Sequence, residues 1–254
     1  MKIRYAGSTH VGMKRAHNED NFRLVGEENI YVVADGMGGH ASGEVASEIA
    51  VETIASFYAE TGEDHEVTWP YPEARELVYD ENRLACAVKL ANLRVYEKAQ
   101  SGSQHRGMGT TLVALACGSS GAFVGHVGDS RGYLLRGSGI EQLTQDHSLL
   151  NDYLKVHKLS AVEIEHFPHK NVIVRALGMS DSVKVEIRRL EPQHGDIYLL
   201  CSDGLSGMLS DEDMLRHVQA CGRDLERSCE ALITGANEHG GQDNITVVMI
   251  EFTE

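Results

Sequence analysis

The chain has 254 residues, enough to bury a sizeable core without calling for a second domain. It is 42% hydrophobic and 24% charged with only 4 Pro, which excludes a low-complexity, fibrous or membrane-spanning chain. With 38 Asp and Glu against 23 Lys and Arg the formal charge is -15, a field that repels nucleic acid and anionic lipid, and no basic stripe opposes it.

In chain order, strands are predicted at 3–8, 21–25 and 30–34, the third almost wholly apolar and so expected inside a sheet. After Gly43 the apolar period lengthens. Val45, Ile49, Ala50, Ile54 and Phe57 recur at helical spacing and predict a helix over 42–60. A polar break at 61–71 ends in Trp-Pro-Tyr-Pro, and a second, longer helix carries Leu77, Leu84, Val88, Ala91 and Val95 on one face. Strand signals return in T-T-L-V-A-L-A, G-A-F-V-G-H-V and R-G-Y-L-L, followed by an irregular stretch over 146–182. Strands near 183–187 and 197–201, helices at 211–220 and 224–238, and a strand at 245–252 complete the pattern. This is not the regular alternation of a parallel doubly wound sheet; packed antiparallel sheets with helices outside fit it better.

The opening residues carry no signal-peptide apolar stretch. Cys86, Cys117, Cys201, Cys221 and Cys229 form no C-x-x-C pair, so free thiols and a cytoplasmic location are expected. Asn244-Ile245-Thr246 matches a glycosylation sequon, which carries no weight without secretion.

The acids give the sharper signal. Two apolar strands run straight into Asp-Gly, at Asp35-Gly36 and Asp203-Gly204. Asp129 follows G-H-V-G, Asp243 opens N-I-T-V-V-M-I, and Glu19 and Asp20 directly precede a strand. An isolated Asp-Gly is ordinarily a hairpin turn, but a glycine loop and a helix follow Asp35. Carboxylates at strand ends are costly to crowd together unless a cation lies between them, and an oxygen-rich set without Cys suits Mg²⁺ or Mn²⁺ rather than zinc. The stretch Gly36-Met37-Gly38-Gly39-His40-Ala41 also fits the dinucleotide fingerprint G-x-G-x-x-A. Against that reading, Asp35 would repel a pyrophosphate, and the helix leads into T-G-E-D-H-E-V instead of a second apolar strand.

Eight stretches follow one another from end to end: G-M-K-R-A-H-N-E-D-N-F (12–22), V-A-D-G-M-G-G-H-A-S-G-E-V-A-S (33–47), G-M-G-T-T-L-V-A (107–114), G-H-V-G-D-S-R-G-Y-L-L-R (125–136), L-T-Q-D-H-S-L (143–149), N-V-I-V-R-A-L-G (171–178), L-L-C-S-D-G-L (199–205) and G-G-Q-D-N-I-T-V-V (240–248). In this order they resemble the metal-dependent serine/threonine protein phosphatases of type 2C, specifically their compact bacterial members. The resemblance implies an α+β fold of two packed antiparallel β-sheets flanked by α-helices on both sides, a four-layer αββα sandwich with a dinuclear metal centre at one end. It also implies a single catalytic domain over 1–254, with a flap at about 147–182 bordering the active site.

The same resemblance implies hydrolysis of phosphoserine and phosphothreonine on proteins by direct attack of a metal-bridging hydroxide. The cofactors would be two Mn²⁺ or Mg²⁺ ions, with a third, weaker ion in bacterial relatives. Carried over by motif, Asp35 bridges the two ions and the Gly36 carbonyl completes one site. Asp203 and Asp243 bind the other ion, Glu19 and Asp20 hold metal-bound waters, and Asp129 shares the third ion with Asp203. Arg15 grips the substrate phosphate, a role its planar guanidinium fork suits, though read alone it is a surface arginine. Phosphorylated proteins, a serine/threonine kinase among them, are the expected partners of a monomeric chain, without nucleic acid or membrane.

Several positions leave alternatives open. Where some relatives carry histidine after the Asp-Gly, Met37 stands here; His40 can serve as proton donor to the leaving oxygen, directly or through water, or be structural. Asp129 can pair internally with Arg131. His147, His157, His166 and His169 lack the Cys partners or helix-borne pair of a zinc site and are read as loop and surface residues. Ser130 in G-D-S has no nucleophile elbow or base. A catalytically dead phosphoprotein-binding module would lack ligands, whereas every expected acid and Arg15 are present.

Overall fold

The computed structural model describes residues 2–38, 42–63, 68–160, 163–164, 166–168 and 172–253. In chain order its elements are β1 (Lys2–His10), β2 (Asp20–Val25), β3 (Ile30–Met37), α1 (Ser42–Glu63), α2 (Tyr79–Gln100), β4 (Gly109–Thr110), β5 (Leu112–Gly118) and β6 (Gly121–Val127). There follow β7 (Arg131–Arg136), β8 (Gly139–Gln142), α3 (Leu149–Leu154), β9 (Glu186–Leu190), β10 (Ile197–Cys201), α4 (Asp203–Ser206), α5 (Asp211–Ala220), α6 (Leu225–Glu238) and β11 (Ile245–Thr253).

The strands form two antiparallel sheets, ordered β1-β11-β10-β7-β8 and β2-β3-β5-β6-β9, with β4 added to β3. The period of two along each strand explains the layers. On β3, Ile30, Val32 and Ala34 face α1 and α2, while Tyr31 and Val33 face the other sheet. On β10 and β11, Leu199, Cys201, Val247 and Met249 face α5 and α6; Tyr198, Leu200, Val248 and Ile250 meet the first sheet. Both faces of the central strands are therefore buried, which is why they read as continuous apolar runs. The layers are helices, sheet, sheet, helices, as the resemblance implies. Local capping sets the helix starts: Ser210 accepts from the Asp213 N–H ahead of α5, and Asp224 from the Arg227 N–H ahead of α6.

The structure departs from the sequence reading in three places. Asp35 is not at a strand end: β3 runs on to Met37, because Asp20 pairs with Asp35 on one side and β4 with Gly36 and Met37 on the other. The second helix begins at Tyr79 and is no longer than the first; Asn82 turns back to bond Ala74 and the Leu77 carbonyl, leaving Leu77 in the preceding turn. The ninth strand begins at Glu186, opposite His126, since 183–185 pass the end of the β6 ladder. In agreement with the sequence reading, β3 is antiparallel to both β2 and β5, so a parallel βαβ dinucleotide unit is not formed by these described strands. Residues 39–41 of that glycine stretch, His40 included, lie outside the described residues, as does His169.

Candidate metal centre

Five acids reach one end of the sandwich by different routes. Asp20 opens β2 directly opposite Asp35 on β3, in one sheet. Asp203 begins α4 just after β10, and Asp243 stands just before β11, in the other. Asp129 lies in the β6–β7 connection that joins the two sheets. The two sheets thus bring these positions together, and the carboxylates act on one another.

Glycines permit the approach. A Cβ on Gly36 would strike the Gly43 carbonyl oxygen and come within 2.6 Å of the Glu19 oxygen. One on Gly204 would strike the Asn244 oxygen, and one on Gly12, held at φ 81°, the Asp243 oxygen. The Asp-Gly pairs are thus packing requirements rather than turns. Glu19 is tied in through its backbone: its N–H donates to Asn244 Oδ1 (2.8 Å), and its carbonyl accepts from the Gly36 N–H (3.1 Å) and Ser47 Oγ (2.5 Å). Its carboxylate would lie 2.8 Å from a Cβ on Gly43, which places it at the start of α1 beside the cluster.

Burial and crowding of like charges set the electrostatics of the site. Burial, then the Asp20, Asp203, Asp129 and Asp243 carboxylates, push the Asp35 carboxyl well above the usual carboxylate range. Burial pushes Asp20 up to about 7, with Asp203 and Asp243 adding to it against hydrogen bonds from Thr246 and Ser202. Asp129 is pushed up to about 7 by burial and by Asp203. Asp203 is raised by burial and Asp243, and lowered by a hydrogen bond with Asp35. Asp20 Oδ1, Asp129 Oδ1 and Asp203 Oδ1 are buried without a hydrogen-bond partner. Orphaned buried oxygens cost free energy, and several on neighbouring acids fit a hard divalent cation.

Arg15 lies at the rim with about half its side chain exposed. Its Nη2 donates to Asp243 Oδ2 at 2.6 Å, and that bond, with Glu19 and Asp203 nearby, strengthens its hold on the proton.

The alternative pairing of Asp129 with Arg131 does not form. Arg131 makes a forked bond to Asp146 (2.7 to 3.2 Å) and reaches the Tyr133 hydroxyl. Its neighbour His147 corrects the sequence reading as a surface residue: it is buried, with 3% of its side chain exposed. His147 exchanges two hydrogen bonds with Gly128, N–H to carbonyl at 2.9 Å and Gly128 N–H to Nδ1 at 3.0 Å. Asp146 and His147 thereby clamp both flanks of the Asp129–Ser130 turn. His157 and His166 are exposed, as expected.

His126, His147 and Glu186 place ligand atoms within 4.8 Å of one another, a second candidate for a metal. Their protons argue against it. Since His147 Nδ1 accepts from Gly128, its Nε2 carries the hydrogen, which serves Glu186 Oε1 at 3.2 Å. The Arg175 guanidinium also sits 3.0 Å from both Glu186 Oε1 and His147 Nε2, where a cation would have to stand. Burial, His126 and Arg175 hold His147 down to about 4, so the pair is neutral packing.

Sequence reasoning missed the polar side chains that hold the acids. Asn244, set aside as an empty sequon, is buried and fully bonded: Nδ2 to the Val11 and His17 carbonyls (2.9 Å each) and Oδ1 to the Glu19 N–H. Thr111 Oγ1 accepts from the Asp35 N–H at 3.1 Å and lies 2.7 Å from Ser130 Oγ, joining the Asp35 and Asp129 backbones. Asn244 adjoins Asp243 and Ser130 adjoins Asp129, a signal of position; Thr111 has no acid within two residues and gave none.

The profile of the family described as Protein phosphatase 2C matches residues 6–240. A serine/threonine phosphatase stp of Listeria welshimeri is 39% identical over 251 residues, covering 96% of this chain and 93% of that protein. The crystal structure of the Mycobacterium tuberculosis serine/threonine phosphatase PstP/Ppp superposes with a TM-score of 0.83 at 32% identity, covering 100% of both chains. That of the catalytic domain of serine threonine protein phosphatase PstP in complex with two manganese ions gives 0.80 at 33%, covering 99% of both. Matched in sequence and in fold over nearly its whole length, the chain belongs to the protein phosphatase 2C family.

Proposed function

We propose that this chain removes phosphate from phosphoserine and phosphothreonine of proteins at the acid cluster, with two Mn²⁺ or Mg²⁺ ions as cofactors. One observation carries the reading: acids from both sheets converge where three buried carboxylate oxygens have no partner and the Asp20, Asp35, Asp129 and Asp203 carboxyls resist ionisation, a state that divalent cations relieve. Asp35, the Gly36 carbonyl, Asp203 and Asp243 are the ligands we assign to two ions. Asp129 with Asp203 is assigned a third, and Glu19 and Asp20 the waters around them. Bound there, the ions lower the pKa of water towards neutrality and neutralise charge on the phosphoryl oxygens.

The chain's own residues do the rest. Arg15, half-exposed at the rim, offers a planar fork that can leave Asp243 for the phosphoryl oxygens and hold them in line for attack. The Asp129 turn is held rigid by Asp146 and His147, and the Asp35 backbone by Thr111, so the acids do not reorganise as charge develops. With Met37 after the Asp-Gly, the proton for the leaving seryl or threonyl oxygen comes from solvent or from His40. No residue of the site needs to be phosphorylated in turn.

A single catalytic domain over 1–254, its flap at 147–182, a kinase among the substrates, a cytoplasmic place of action and a monomeric state belong to the same reading. In support, the five cysteines are free, and no helix among the described residues is long and apolar enough to cross a membrane. The test is phosphate release from a phosphothreonine peptide. Release that needs Mn²⁺ and stops on adding chelator is expected; release that survives chelation contradicts the proposal.

A further inference from the structure

A closed ring of hydrogen bonds encloses Asp20, and one backbone donor fixes its direction. The Asp20 N–H donates to Asn18 Oδ1 (3.2 Å), which turns the amide so that Asn18 Nδ2 donates to Thr9 Oγ1 (2.9 Å). Thr9 Oγ1 lies 2.7 Å from Thr246 Oγ1, which lies 2.7 Å from Asp20 Oδ2. The single Thr246 hydroxyl proton goes to the carboxylate, so the Thr9 proton must go to Thr246. Ser202 adds a second donor by the same logic. Its Oγ accepts from the Thr246 N–H at 2.9 Å, and its own proton goes to Asp20 Oδ2 at 2.8 Å. The register that sets Thr9 opposite Thr246 thus lets β1 and β11 of one sheet hold a carboxylate of the other.

The two Asp20 oxygens are thereby made unequal. Oδ2 receives two hydroxyl protons; Oδ1 is buried and receives none. We infer that Thr246, Ser202, Thr9 and Asn18 are positioning residues that commit Asp20 Oδ2 to the protein and leave Oδ1 as the one oxygen it turns to the waters held by the cations of the centre. The inference rests on the metal reading of that centre. A carboxylate pinned this way cannot rotate to offer Oδ2 or lean towards Asp35, so the site is set before any ion arrives. The cost of losing such supporting hydrogen bonds is about 10- to 100-fold in metal affinity.

Calorimetric titration of Mn²⁺ into the wild-type chain, Thr246→Val, Thr246→Ser and Ser202→Ala tests it, with circular dichroism to confirm folding. Thr246→Val and Ser202→Ala are each expected to weaken one ion about tenfold, and Thr246→Ser, which restores the donor, to bind within about twofold of wild type. Thr9→Val, at an exposed position, frees the Thr246 hydroxyl to turn. It is expected to weaken the same ion about threefold, and it carries the test if the buried variants do not fold. Unchanged Mn²⁺ affinity in folded Thr246→Val or Thr9→Val, with only a lower melting temperature, overturns the inference and makes the ring structural. A wild-type chain that takes up no Mn²⁺ overturns the metal reading itself, and is told apart because it fails before any substitution is made.

Discussion

Arg15 Nη2 lies 2.6 Å from Asp243 Oδ2, so the arginine assigned to the substrate phosphate and a carboxylate assigned to a cation hold each other. The pair is largely exposed, and its net contribution to stability is about 0–1 kcal/mol. It is easily exchanged for stronger partners: the cation for Asp243, the phosphate for Arg15.

Arg15→Ala is therefore expected to raise KM for a phosphothreonine peptide by about tenfold, with a smaller fall in kcat, and to leave folding unchanged. Arg15→Lys recovers only part, because an ammonium cannot reproduce the fork. Steady-state kinetics at saturating Mn²⁺ checks this, and an unchanged KM in the alanine variant returns Arg15 to a surface role.

Asp35→Asn and Asp203→Asn each remove an acid from a cluster in which Asp20, Asp203, Asp129 and Asp243 raise the proton affinity of Asp35, and Asp243 that of Asp203. Turnover should fall by about a thousandfold, the order expected when a charge-stabilising group is lost. The metal-free fold should melt no lower than wild type, since repulsion is relieved. Near-native turnover in either variant at saturating Mn²⁺ contradicts the ligand assignment.

The pH dependence of the metal-free chain follows from the same groups. Asp20 and Asp129 are pushed up to about 7 when folded, against about 3.9 in an unfolded chain, so folding favours their protonated forms. Their contribution is full below pH 4 and is lost as pH rises towards 7. His147, held down to about 4, acts oppositely, its contribution lost only as pH falls below about 6.5. Between pH 6.5 and 7.5 the carboxylates decide. The melting temperature of chelator-treated protein should drop across that interval, less so in Asp129→Asn. A flat profile contradicts the crowding of these acids.

The Asp-Gly pairs and the apolar strands before them made the acid cluster legible in the sequence, and the family motifs supplied the roles. The supports were not legible, because hydroxyls and amides acquire meaning only from register. Nothing near Thr9 announces that β1 pairs with β11 and sets it against Thr246. His147 looked like one loop histidine among several until Gly128 and Arg175 closed around it. Asp35 looked terminal because β4, only two residues long, is too short to register as a partner strand.

Asp129 separates two roles cleanly now that Arg131 is bonded to Asp146. Asp129→Ala should keep two tight Mn²⁺ sites by calorimetry, lose most hydrolysis, and regain little with excess Mn²⁺. Arg131→Ala should instead lower the melting temperature by freeing Asp146, with a modest effect on rate. Matching phenotypes in the two variants would falsify a metal role for Asp129.

The central claim concerns where the cations sit, and anomalous diffraction from crystals soaked in Mn²⁺ reads that directly. The account predicts two strong peaks among Asp35, Gly36, Asp203 and Asp243, with Asp20 and Glu19 close by and any third, weaker peak beside Asp129. Peaks between His126, His147 and Glu186, with none at the carboxylates, would contradict it.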